Sequence, residues 1–174
     1  MNTKTARLAT AGIMIALAFI LSYIESLLPA FTGVPGVKIG LANIVTMVAL
    51  YLLDWKYAAA ISLVRVALAG LIFNGLSAMI YGLAGAALSL IVMLLLLKIR
   101  QPLSEDRASA PSRFSLPAIS VAGGTAHNIG QILVAWAVLG RAVLYYLPVL
   151  LISGLIAGAV TGIIAFYLIR CLRA

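Results

Sequence analysis

Charged residues are scarce in this chain and acidic ones scarcer still: four Asp and Glu accompany twelve Lys and Arg in 174 residues. Charged residues make up 9% of the sequence, whereas soluble globular domains carry roughly 25%. Hydrophobic residues make up 64%, which excludes a soluble domain and predicts an integral membrane protein. Because each membrane-spanning helix takes about 20 residues, the length fits one transmembrane domain, residues 1–174, and no further domain.

Motifs for catalysis are lacking as well. There is no G-x-x-x-x-G-K-[ST] loop for nucleotide hydrolysis. The adjacent acids Glu105 and Asp106 lie in a polar loop, so no aspartate-rich pair could hold magnesium and diphosphate. One histidine and the single Cys171 cannot complete a metal site or an intramolecular disulfide. We therefore predict no enzyme activity, no metal and no cofactor, and scattered basic residues predict no nucleic-acid partner.

Apolar stretches separated by short polar breaks predict six transmembrane helices. The second and third stretches are joined by Asp54-Trp55-Lys56, a polar turn with an interfacial Trp, which predicts a membrane hairpin. The predicted spans are Leu8 to Leu28, Ile39 to Leu53, Tyr57 to Phe73, Ala78 to Leu97, Leu116 to Leu139, and Leu147 to Ile169.

Basic residues in the connections predict the orientation of the bundle. An N-terminus in the cytoplasm leaves only Lys38 and Arg141 outside, as the positive-inside rule requires, and makes both termini cytoplasmic. The Pro- and Gly-rich segment Pro29 to Val37 is then external, and we expect it to cap the outer mouth. Residues 98–115 are predicted to form a mobile cytoplasmic loop. The basic residues placed inside are Lys4, Arg7, Lys56, Lys98, Arg100, Arg107, Arg113, Arg170 and Arg173.

Small residues form a stripe on the first span and another on the last. In lipid, such stripes mark close helix contacts, either inside one bundle or with another protein. The stripe on the first span is open to a second interpretation, a docking surface for a partner membrane subunit. The two stripes are Thr5, Ala9, Gly12 and Ala16, and Gly154, Gly158 and Gly162.

Arg65 is the ionisable residue that most needs a partner. A charged side chain in the hydrocarbon core costs roughly 2.5–3.5 kcal/mol on insertion scales, so it persists where it faces a cavity, a partner or a ligand. Ala58, Ser62 and Ala69 share its helix face, which leaves room beside the guanidinium. Two interpretations stay open: a structural ion pair with Glu25, or binding of an anionic ligand.

The fifth span carries a second polar group. His127 and Gln131 are four residues apart on one face, Asn128 lies between them, and glycines surround all three. Each side chain can donate and accept hydrogen bonds. They are predicted to form one wall of the cavity that holds Arg65, the alternative being hydrogen bonds between helices.

Two stretches resemble a known bacterial membrane family. VKIGLANIV, from Val37 to Val45, and GGTAHNIGQ, from Gly123 to Gln131, are similar to the family labelled Gx transporter or heptaprenyl diphosphate synthase component I. That family is similar to the substrate-binding (S) components of energy-coupling-factor (ECF) transporters. The resemblance implies an all-α bundle of six transmembrane helices in the bacterial cell membrane. It also implies a transmembrane coupling subunit and ATPases supplied by other chains, with the first-span stripe similar to the AxxxA docking motif.

The leading hypothesis is a substrate-binding component that takes up a small molecule with a polar or anionic head, of the vitamin or precursor class. The alternatives are an accessory subunit associated with prenyl diphosphate or quinone metabolism or flavin-based extracellular electron transfer, and a membrane anchor for a redox partner. Besides substrate, membrane lipid is an expected contact. The predicted substrate-binding residues are Lys38, Asn43, Arg65, His127, Asn128 and Gln131, and the predicted docking residues are Ala9, Gly12 and Ala16.

Overall fold

The computed structural model describes residues 3–27, 39–100 and 115–173, and within them the regular structure is entirely helical. A π-helical turn, Gly70–Asn74, continues the third helix, and a 3-10 segment, Arg141–Tyr146, precedes the sixth. The predicted Pro29 to Val37 cap and most of the predicted 98–115 loop lie outside the described residues. The helices are α1 Thr3–Leu27, α2 Leu41–Leu52, α3 Trp55–Ala69, α4 Leu76–Arg100, α5 Leu116–Leu139 and α6 Leu147–Arg173.

The helices match the six apolar stretches, and four of them are long and apolar enough to cross a membrane: α1, α3 with its π-helical turn, α4, and α6 with its 3-10 segment. Helix α5 is also long, with 24 residues, but its polar residues lower its mean hydropathy and it is not among these four. Helix α2 has 12 residues, about 18 Å at 1.5 Å per residue, and is shorter than the roughly 30 Å hydrocarbon core. The fold is compatible with a helical membrane protein, and the orientation of the termini stays a prediction.

Local sequence signals place several helix ends. The Asp54 carboxylate accepts the backbone N–H of Trp55 at 2.7 Å and caps α3, so the predicted hairpin turn lies at the start of that helix. Ser115 caps α5 by accepting the N–H of Ala118 at 3.3 Å. Gly75, with φ of 85°, separates the π-helical turn from α4 in a backbone conformation that favours glycine.

Short helix α2 lies among the longer helices, in contact with α1, α3 and α6. Its residues from Val45 to Ala49 are all buried, and Met47 is 2% exposed. With Ile61 of α3 and Ile119 of α5, Met47 belongs to the largest fully buried side chains of the core. Because its neighbours cover its sides, α2 can be shorter than the membrane is thick.

The stripe on α6 packs against α5, so its interpretation as a contact within the bundle is confirmed. A Cβ added at Gly158 would lie 2.7 Å from the Val121 Cα, and one added at Gly162 would lie 2.7 Å from the Pro117 Cα. The stripe on α1 differs, because Ala9 and Gly12 are exposed and a Cβ at Gly12 would meet no atom within 4 Å. In the described part of the chain, only the α6 stripe is therefore closed by a neighbouring helix.

Candidate functional site

A cavity of about 80 Å³ lies at the centre of the bundle, and all six helices contribute to its lining. We call it the polar cavity, because hydroxyl, carboxamide, carboxylate, imidazole and guanidinium groups line it. Its lining includes Ser22, Glu25, Asn43, Thr46, Arg65, Asn74, Ala78, His127, Asn128 and Gln131.

Arg65 enters the polar cavity from the buried face of α3. The predicted small neighbours on that face, Ala58, Ser62 and Ala69, are also buried. Nη1 of Arg65 donates to the Ser22 Oγ and Nη2 donates to the Asn43 Oδ1, each at 3.3 Å. Both bonds are longer than the usual distance of about 2.9–3.0 Å for N–H···O bonds. The guanidinium is therefore held loosely by neutral groups.

Two buried polar atoms of this cavity have no hydrogen-bond partner among the described residues: Arg65 Nε and Thr46 Oγ1. The side chains are 8% and 3% exposed respectively. A buried donor without a partner costs about 1–3 kcal/mol, and more for a charged group. The Arg65 guanidinium, which lines the cavity, is therefore incompletely satisfied by the described residues.

Glu25 does not close the predicted contact with Arg65. One carboxylate oxygen of Glu25 accepts the backbone N–H of Gly40, which ties α1 to the start of α2. Within the described residues, no nitrogen of Arg65 approaches a Glu25 oxygen to within 4.0 Å. The carboxylate still lines the polar cavity and attracts the guanidinium over a longer distance. Arg65 is thus attracted to Glu25 but is not neutralised by direct contact.

The lining of the polar cavity also includes His127 and Gln131 of α5, both half-buried. Helix α4 approaches them closely at Gly85, where an added Cβ would lie 2.7 Å from the His127 carbonyl oxygen and 2.9 Å from the Gln131 Cγ. Glycine at this position lets α4 pack tightly against the polar part of α5. The two predicted side chains therefore hold a defined place on the cavity wall.

Asn128 has a different environment. Its amide nitrogen donates to the Leu150 carbonyl oxygen and, at 3.3 Å, to the Ser153 Oγ, both on α6. The carboxamide also lines the polar cavity. The structure thus gives the Asn128 amide nitrogen an interhelical role, the alternative that the sequence left open for this polar run.

Five of the six predicted binding residues line the polar cavity. Asn43, Arg65 and the three polar residues of α5 line one cavity, whereas Lys38 lies outside the described residues. Sequence reasoning missed Ser22 and Thr46. Thr46 follows Asn43 by three residues on α2, so the helical period indicated a shared face. Ser22 had the same relation to Glu25 on α1.

An apolar groove adjoins the polar cavity at one end of the bundle, with a volume of about 490 Å³. Three residues, Asn74, Ala78 and Gln131, line both the groove and the polar cavity, so the two spaces meet. The other residues of the groove are Ser77, Tyr81, Ile132, Ala135, Leu139, Val143, Tyr146 and Leu150.

The polar cavity contains groups that can bind a ligand. Within residues 3–27, 39–100 and 115–173, no three His, Cys, Asp or Glu side chains lie together as metal ligands. The cavity supplies a cation, hydroxyls and carboxamides, which recognise polar and anionic groups through hydrogen bonds.

Comparison with known proteins places the chain in a family. The sequence profile described as heptaprenyl diphosphate synthase component I matches residues 14–168. The chain belongs to this family, as the resemblance of its two motifs indicated, and the description implies a component that works with other subunits. Searches of curated proteins and of solved structures returned no match.

Proposed function

We propose that this chain is the substrate-binding component of an ECF-type transporter and holds a small molecule with a polar or anionic head in the polar cavity. One observation carries the proposal: Arg65 is buried in the cavity while its Nε lacks a hydrogen-bond partner among the described residues. A buried guanidinium that is not neutralised by a contacting acid is costly, and such a group in a membrane helix is by default a functional site.

A bound acid would change this balance. A carboxylate or phosphate oxygen accepting from the Arg65 guanidinium would form a charge-assisted hydrogen bond, roughly twice as strong as a neutral one. The Thr46 hydroxyl, also without a partner in the described part of the chain, supplies a second polar group on α2. His127 and Gln131 of α5 add further polar groups to the lining. In this proposal the chain binds its ligand without chemical conversion, and it requires no cofactor.

Energy for transport would come from ATPases and a transmembrane coupling subunit. The α1 stripe is the proposed docking surface, since Ala9, Gly12 and Ala16 are exposed and no side chain of the bundle closes around Gly12. Large side chains there should block association and leave the cavity intact. Gly12→Leu is therefore expected to reduce co-purification of coupling subunits while ligand occupancy is retained. Unchanged co-purification would remove the docking role.

We further propose that the bundle lies in the bacterial cell membrane with both termini in the cytoplasm. Cys171 provides a native label, because it is exposed near the end of α6. A membrane-impermeant maleimide applied to intact cells should leave Cys171 unmodified and should react once the membrane is opened. Modification from outside would reverse the orientation.

Native mass spectrometry of gently extracted protein tests the binding function directly. We expect a co-purified small molecule on the parent chain and its loss from Arg65→Gln at equal thermal stability. Absence of any bound molecule that depends on Arg65 would overturn the proposal. Neighbouring genes for coupling subunits would support the transport role independently.

The family description favours a second candidate, an accessory subunit for prenyl diphosphate synthesis. The polar cavity suits a diphosphate poorly, since Arg65 is the one cationic side chain in the described lining. Co-expression with a soluble prenyl synthase distinguishes the two functions. Increased synthase activity in the presence of this chain, unaffected by Arg65→Gln, would favour the accessory role.

A further inference from the structure

The polar cavity and the apolar groove differ in size as well as chemistry. The polar cavity has a volume of about 80 Å³ and the groove about 490 Å³. Pockets for small molecules usually measure roughly 300–1,000 Å³, so the polar cavity alone has room only for a headgroup. At the junction of Asn74, Ala78 and Gln131 the groove offers room for a larger part of a ligand.

We propose that the ligand is an amphiphile whose single acidic head binds Arg65 and whose apolar tail lies in the groove. This inference rests on the proposed function, because it names the class of molecule that occupies the same cavity.

The charges of the cavity indicate the kind of head. Among the described lining residues, Arg65 and Glu25 carry the formal charges, one of each sign. A singly charged head can pair with the Arg65 guanidinium, whereas each further negative charge would meet the repulsion of the Glu25 carboxylate without a second cation in the described lining. The charges therefore favour a head with one acidic group over a more highly charged one.

The groove has the chemistry of a tail site. Ile132, Ala135 and Leu139 of α5 form one side, and Val143 and Leu150 lie beyond them. Its lining is mostly apolar, and apolar surface released from water drives binding without directional contacts. Because the groove meets the polar cavity through shared residues, one molecule can occupy both. An apolar groove that meets a cavity lined by a buried cation matches the two parts of an amphiphile.

Photolabelling in lipid nanodiscs tests the proposal, with palmitic acid carrying a diazirine on its chain as the probe. We expect labelled peptides from residues 132–150 and competition by palmitate. Butyrate, which has the head without the tail, and hexadecanol, which has the tail without the acid, should each compete at least about tenfold more weakly.

Matched variants locate the tail. Ala135→Phe fills the groove, and Ala137→Phe places the same side chain on an exposed position of α5 that does not line it. Labelling should fall about tenfold or more in the first variant and stay unchanged in the second. Val143→Phe gives an independent obstruction should Ala135→Phe fold poorly, and Arg65→Gln should reduce labelling as strongly.

The outcomes distinguish failure of the amphiphile site from failure of the proposed binding function. Labelling that survives Arg65→Gln would show simple partitioning of lipid and overturn the amphiphile site. Equal competition by butyrate and palmitate, or labelling unaffected by both groove variants, would overturn the tail site. If native mass spectrometry then still shows an Arg65-dependent water-soluble ligand, the proposed function stands; if it shows none, both fall.

Discussion

The contact between α5 and α6 and the surroundings of Arg65 show two uses of polar residues in one bundle. Where α5 meets α6, the Ser120 and Thr161 hydroxyls lie 3.0 Å apart, and the Asn128 amide nitrogen donates twice across the interface. Glycines bring the two backbones together, and an added Cβ at Gly154 would lie 3.0 Å from the Gly124 carbonyl oxygen. In this interface, polar groups bond one another and hold helices together.

Around Arg65 the balance is the opposite. Its two hydrogen bonds are 3.3 Å long, and its Nε and the Thr46 hydroxyl have no partner among the described residues. Polarity inside the bundle therefore does not by itself identify a binding site, since Ser120, Asn128 and Thr161 line the same cavity as Arg65. The informative property is whether a buried polar atom is already hydrogen-bonded within the described residues or is left without a partner.

Removal of the Arg65 charge should give the largest effect on binding. Arg65→Gln is expected to lower ligand occupancy at least tenfold, because a hydrogen bond to a charged group contributes about 1.5–3 kcal/mol. Its thermal midpoint should not fall, since an incompletely paired buried charge is removed. Arg65→Lys retains the charge but loses the planar fork, and occupancy should fall there too. Native mass spectrometry and thermal unfolding measure both quantities.

Unchanged ligand occupancy in Arg65→Gln would show that Arg65 does not contribute to ligand binding. A lowered midpoint that Glu25→Gln then restores would instead identify Arg65 and Glu25 as a structural ion pair.

Crowding of the interface between α5 and α6 should give the largest effect on stability. Gly158→Ala places a methyl group against the α5 backbone and should destabilise by about 1–3 kcal/mol. Gly12→Ala is the matched control, because its methyl group meets open space on a helix and should be neutral or stabilising by up to about 1 kcal/mol. Thermal unfolding in one detergent compares them, and equal midpoints would contradict tight packing at Gly158.

The polar residues of α5 are expected to have two different roles, with His127 and Gln131 contributing to ligand binding and Asn128 to helix packing. His127→Ala and Gln131→Ala are each expected to weaken binding about tenfold, or about 1.4 kcal/mol, without unfolding the bundle. Asn128→Ala should instead lower stability by about 0.6–2 kcal/mol, since it loses bonds between α5 and α6. Ligand occupancy and thermal midpoint are measured for all three. The reverse pattern would assign Asn128 to the ligand and its neighbours to the packing.

Substitution of two threonines should give the smallest effects. Thr161→Val removes a hydroxyl that is hydrogen-bonded to Ser120, so stability should fall by about 0.6 kcal/mol. Thr46→Val removes a hydroxyl without a partner in the described structure, so its thermal midpoint should stay equal or rise while occupancy falls. A lower midpoint for Thr46→Val would show that this hydroxyl is bonded within the protein.

Much of the helical architecture could be predicted from the sequence. The bounds of α5 are those predicted, Leu116–Leu139, and α6 begins at the predicted Leu147. The third span was predicted to run to Phe73, whereas the α-helix ends at Ala69 and a π-helical turn follows. Apolar content shows where a helix can exist, but it does not distinguish the tighter α pattern from a local π-helical turn.

The binding site was less predictable. The helical period indicated correctly that Arg65 shares a buried face with Ser62 and Ala69. It could not show that the Glu25 carboxylate accepts the Gly40 N–H, because Gly40 lies on another segment, just before α2. Ser22 was overlooked because its role depends on the Arg65 guanidinium of another helix, which donates to it.

The class of protein, the helices and the residues able to form hydrogen bonds follow from the sequence, because hydropathy, helical period and capping are local properties of the chain. The packing of the helices sets which of those groups bond to a neighbouring helix and which have no partner among the described residues. Asn128 and Gln131 have equivalent carboxamides, yet the Asn128 amide donates to α6 while Gln131 lines the junction of the two spaces. That division depends on the rotation and separation of the packed helices, which close glycine contacts set here.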